Sequence, residues 1–199
     1  MDKHFHDITI GLYALPAAAG GQECLVHSYS HVAGADGRIA FLVGAMQVLG
    51  GMLPGGRPNS VRFPCGALHR LAAKRVFLEA CKLAPERQPQ ALPLATLDKR
   101  AEATVLAESL GQGRYRFHMD KGEQRRAAVA ASGLRKLADL PDGEDEAGIA
   151  FACGHAHDAL VGLLLPRALN VRAALREYEA QAERGVLVAP SAQAGGPQF

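Results

Sequence analysis

A chain of 199 residues with 48% hydrophobic and 21% charged side chains has the composition of an ordinary globular protein, long enough to bury a real core in one domain or two closely packed small ones. Twenty-two lysines and arginines against 20 acids leave a formal charge of +2, and the basic residues are scattered. That pattern argues against nucleic acid as a partner. The amino end, Met1 to Asp7, is polar and lacks the apolar run of a secretory signal, and Ile39 to Met52, the longest apolar stretch, is broken by Gln47 and glycines. The expectation is a cytoplasmic protein without a membrane partner. Cys24, Cys65, Cys81 and Cys153 would then remain thiols rather than form a disulfide framework.

In chain order, Asp7 to Leu15 alternates as a strand, and Cys24 to Val32 is a second β-prone run. Asp36-Gly37 offers turn chemistry, so a hairpin is expected with Arg38 to Val43 as its returning strand. The apolar run from Gly44 to Gly51 fits either a strand or a buried helix. Pro54 to Asn59 reads as a loop, Val61 opens a short strand, and Ala67 to Leu83 carries the spacing of an amphipathic helix ended by Pro85.

Gln88 to Pro93, with two prolines in six residues, marks a boundary. The expected organisation is a first half over 1–87, a linker over 88–98, a second half over 99–188 and a tail over 189–199. Ala103 to Glu108 and Arg114 to Met119 read as a second hairpin, with Tyr115 and Phe117 on one face. Glu123 to Leu140 is helical in pattern. Ala159 to Leu165 fits a buried helix or a strand, and a further helix is expected from near Pro166 to Gly185, with a short strand over Val186 to Val188. The fold class is therefore α+β, an antiparallel or mixed sheet with flanking helices.

Two segments carry the chemistry. Val61 to His69 and Ile149 to His157 both fit [Val/Ile]-x-Phe-x-Cys-Gly-x-x-His, and each lies between a Pro/Gly loop and an apolar helix-like run. Similar elements precede both, which points to internal duplication of a ββαβα-like unit and to a pseudo-twofold axis bringing the Cys-Gly turns together. Thiolate and imidazole suit zinc or iron, so Cys65, His69, Cys153 and His157 form a candidate Cys2His2 metal set. If a helix starts at each glycine, the Cys and His of a pair share one helix face.

The second copy is richer, because Cys153, His155, His157 and Asp158 fall within six residues. A thiol there could act as nucleophile with a histidine as base and Asp158 as orienter. The bland alternative is a helix start where Asp158 meets the dipole and the histidines bond locally. His157-Asp158 also resembles the dyad of the HD phosphohydrolases, which implies a divalent metal; that family is all-helical and uses further His and Asp ligands, unlike this strand-rich chain. Other histidines, His27 with His31 and His4 with His6, share strand faces and could line a pocket.

These residues support two functional expectations. One is a small enzyme or enzyme-like binder of a small molecule, built on the Cys/His site and a metal. The other is a non-catalytic accessory or interaction protein, in which both motifs are structural and a homo-oligomer supplies the function.

Overall fold

The structure, a computed structural model, describes residues 5–17 and 20–181. The expected short strand over Val186 to Val188, the tail and His4 lie outside the described residues. Within them are five helices and two four-stranded antiparallel sheets. The α+β expectation holds, and of its two sheet options the antiparallel one is realised.

The first sheet pairs β1 (Ile8–Pro16) with β2 (Gln22–Ser30), β2 with β4 (Ser60–Arg62), and β4 with β3 (Leu53–Pro54). Helix α1 (Asp36–Gly50) joins β2 to β3, and α2 (Arg70–Ala80) follows β4. In the second sheet the order is β5 (Ala95–Asp98), β6 (Ala103–Gly111), β7 (Arg114–Met119) and β8 (Gly148–Ala150). Helix α3 (Arg125–Ala138) connects β7 to β8, with α4 (Asp158–Ala168) and α5 (Val171–Gln181) after β8. In both sheets a hairpin is followed by a helix, by a strand that pairs with the hairpin's second strand, and by the Cys-Gly turn and another helix. The strands β5 and β3 extend opposite ends of this shared pattern.

Three expectations about elements are corrected. Arg38 to Val43 is not a strand, because α1 begins at Asp36. The turn falls instead at Gly34, whose φ of 77° is the left-handed conformation glycine tolerates, and Asp36 in the first turn is favourable at the helix dipole's positive end. Ile39, Leu42, Met46 and Leu49, all buried, recur at helical spacing through the run that is ambiguous by composition. Pro166 does not start a helix but sits inside α4, which continues to Ala168 although the proline lacks the N–H that would bond one turn back. Residues 95–98, expected in the linker, form β5.

The buried apolar side chains of both halves form one cluster, from Phe5, Ile8 and Ile10 through Phe63 and Phe77 to Tyr115, Phe117 and Leu164. Helix α1 packs on β2 and β4, and α3 on β7 and β8. Helix α1 meets both α2 and α4, while α3 meets both α4 and α2, so the helices join the halves. A buried polar knot adds to the join. Glu79 on α2 accepts from Arg167 of α4 at 3.1 Å and from the Tyr178 hydroxyl of α5 at 2.8 Å, with the Arg75 guanidinium 3.9 Å above the Tyr178 ring.

A candidate metal centre between two Cys-Gly turns

Each motif strand is followed at once by a phenylalanine that opens a tight turn. Gly66 N–H donates to the Phe63 carbonyl at 3.3 Å, and Gly154 N–H donates to the Phe151 carbonyl at 2.9 Å. Proline at position 64 suits the second place of such a turn, and the glycines adopt φ of 63° and 70°, where a side chain would be strained. No helix spans the Cys-to-His interval. Helix α2 starts at Arg70 and α4 at Asp158, so each histidine is the residue just before its helix. The expectation of a shared helix face is thus replaced by a turn that folds cysteine and histidine toward one another.

The two turns then meet. The ligand-type atoms of Cys65, His69, Cys153 and His157 all lie within 4.8 Å of one another. A tetrahedron built with ordinary zinc–sulfur and zinc–nitrogen bonds has edges of about 3.3–3.8 Å, so closure on a cation needs shifts of roughly 1 Å. Within the second turn Cys153 Sγ is 3.2 Å from His157 Nε2. The His69 and His157 rings stand 4.9 Å apart and nearly perpendicular. Phe63 and Phe151 contact both imidazoles, at centroid distances from 4.4 to 5.9 Å, and wall the cluster on its apolar side.

Burial favours ligation by the two imidazoles and opposes it at the Cys65 thiol. His157 is 4% exposed, and its pKa falls to about 4 through burial and the neighbouring His69 and His155, against the opposing pull of Asp158. Burial also lowers His69. Both imidazoles are therefore neutral near pH 7, with a lone pair to offer. His69 Nε2 is buried and has no hydrogen-bond partner among the described residues, an unsatisfied polar atom that a cation would satisfy. The Cys65 thiol is pushed up to about 11, chiefly by burial and further by Cys153, so without a cation it stays protonated. A metal ion would displace that proton.

The second turn is braced by a side chain, whereas the first is tied to β2 through the backbone, the Cys24 N–H donating to the Ala67 carbonyl at 3.4 Å. The Tyr115 hydroxyl donates to Asp158 Oδ1 at 2.6 Å and accepts from the His157 backbone N–H at 2.6 Å. Tyr115 pairs with Ile149 as Val26 pairs with Val61, so valine holds the matching place in the first sheet. Gly113, at φ 70°, lets the β6–β7 turn approach the second Cys-Gly turn so closely that an added Cβ would stand 2.9 Å from the His155 carbonyl oxygen.

The four residues expected as metal ligands are brought together. Of the four expected as catalytic, Cys153 and His157 touch, whereas the exposed His155 ring donates to the Cys153 carbonyl at 2.8 Å and Asp158 is engaged by Tyr115. The rings of His27, on β2, and of His31, just past its end, flank Tyr29, whose ring lies 6.1 Å from the first and 5.7 Å from the second. Sequence reasoning missed the parts played by Phe63, Phe151 and Tyr115. The alternation that puts Tyr115 on the buried face was a usable signal for the last. Compared with family models, with curated proteins and with solved structures, the chain matches none, so its reading rests on the geometry of this centre.

Proposed function

We propose that this chain is a zinc-binding protein in which Cys65, His69, Cys153 and His157 hold one ion as a closed four-ligand centre that clamps its two halves. The single observation carrying this reading is the convergence of those four side chains, from segments more than eighty residues apart, to within 4.8 Å. Two thiolates and two imidazoles suit zinc in tetrahedral geometry, and four protein ligands leave no coordination position for substrate. The centre is structural on that ground, and the repeated order of elements around it supports its origin in two related units.

Elemental analysis of protein purified without a histidine tag tests the reading. One zinc per chain, lost in Cys153→Ser/His157→Ala, is the expected result. A metal-free protein whose stability that double substitution leaves unchanged would overturn it, and stoichiometric iron would replace the ion but not the ligand set.

A second reading is a thiol enzyme acting on a small molecule, with Cys153 as nucleophile, His157 as base, and His155 and Asp158 beside them. The 3.2 Å approach of Cys153 Sγ to His157 Nε2 favours it. It requires Cys153 to alkylate with iodoacetamide faster than free cysteine at pH 7 in chelator-treated, folded protein; a slower rate rejects it.

A further inference from the structure

A cavity of about 490 Å³ opens where α3, the α4–α5 junction and the β5–β6 turn meet. Four arginines line it from three different elements: Arg100 just before β6, Arg126 on α3, and Arg172 and Arg176 one turn apart on α5. Among the described residues, none of those lining it is a carboxylate. Asp98 takes the Nε of Arg126 at 2.5 Å, yet Arg126 Nη2 is buried and has no hydrogen-bond partner among the described residues.

Like charges gathered around one hollow repel, and a buried donor without an acceptor is costly. An anion seated in the hollow would relieve the repulsion. The amino end of α5 opens onto the same space, with Asn170 and Val171 in its wall, and its dipole has the sign that favours negative charge. Guanidinium forks match the oxygens of a phosphate in pairs. The rest of the wall is apolar, from Val129, Leu169 and Val171. An inorganic ion would leave that part of the cavity unused.

We propose that this cavity is a binding site for a small organic phosphate, its phosphate held by the four arginines and its carbon part against Val129 and Leu169. The site shares no residue with the Cys/His centre and stands whether or not that centre binds zinc.

Calorimetric titration of the full chain with phenyl phosphate and with inorganic phosphate, at constant ionic strength, tests it. Saturable binding of phenyl phosphate is expected, at least about tenfold tighter than that of inorganic phosphate. Arg172→Gln/Arg176→Gln, on the exposed side of α5, should weaken it by about tenfold or more, the scale set by losing a charge-assisted hydrogen bond. Arg57→Gln, outside the cavity, should leave it unchanged. These variants avoid Arg126, whose removal would strand the buried Asp98. Absence of saturable binding up to about 10 mM, equal affinity for the two anions, or equal weakening by Arg57→Gln would each overturn the proposal.

Discussion

Tyr115 shows how a residue outside the Cys/His pattern governs it. Its hydroxyl joins the Asp158 carboxylate to the His157 backbone N–H, which fixes where α4 begins and how the His157 ring enters the cluster. Groups of this kind, one bond removed from a ligand, typically change metal affinity by 10- to 100-fold when lost. Tyr115→Phe is therefore expected to weaken zinc binding about tenfold, as read by competition with a chromophoric chelator, and to perturb the visible spectrum of the cobalt-substituted protein. Val26→Tyr, at the matching place in the first sheet, would not substitute for it, because Arg70 stands there in place of Asp158.

A second residue-scale device lies far from the centre. Asp7, held by the Arg38 guanidinium and by the Ser30 hydroxyl at 2.6 Å, has its pKa lowered to about 2. The folded state thus binds the carboxylate proton less readily than the unfolded chain does. The stability this contributes is fully present above about pH 4 and is lost as the pH falls through about 2. Asp7→Asn is expected to lower the unfolding midpoint at pH 7 and to leave it nearly unchanged at pH 2, a difference that denaturation at the two pH values checks.

At the scale of elements, two helical glycines make opposite predictions. An added Cβ at Gly133 of α3 would stand 2.1 Å from the Ala168 carbonyl oxygen of α4, so the α3–α4 crossing depends on the missing side chain. Backbone cannot yield as a side-chain tip can, and Gly133→Ala is expected to cost about 2–3 kcal/mol in urea unfolding. Gly44, inside α1, has open space at that position. Gly44→Ala should instead stabilise by about 0.5–1 kcal/mol, the helix-propensity difference. If both substitutions moved stability in the same direction, the close approach of α3 to α4 would be wrong.

For the whole molecule, the centre and the Glu79 knot join the halves at different places. A tightly held ion at 1,000 times its dissociation constant stabilises the folded state by about 4 kcal/mol. In a chain of this size that corresponds to roughly 10 °C in the thermal midpoint. Chelation is expected to lower the midpoint by about that amount, and added zinc to restore it. Hydrogen exchange should accelerate at the 63–69 and 151–157 turns while β1, β2 and β6 remain protected. Equal acceleration throughout would mean that the ion supports global folding rather than the clamp.

The strands over Ile8 to Pro16 and Gln22 to Ser30, the hairpin at Ala103 to Met119, the helix at Arg125 to Ala138 and the pairing of two Cys-Gly-x-x-His segments were legible in the residues themselves, because strand alternation, helical spacing and turn glycines are local properties of a chain. That the first two strands pair with each other was not legible, since the sequence placed that hairpin between Cys24 to Val32 and Arg38 to Val43. The α1 segment was misread because Asp36-Gly37 is equally a turn dipeptide and a helix start, and only burial of Ile39, Leu42, Met46 and Leu49 together decides between them. Tertiary structure alone determined that four ligand atoms converge within 4.8 Å, that Phe63 and Phe151 wall them, and that four arginines face one hollow. Those facts depend on how two sheets are held against each other by helices distant in sequence. Local preferences limit each element's shape but carry no information about the distance between two turns more than eighty residues apart.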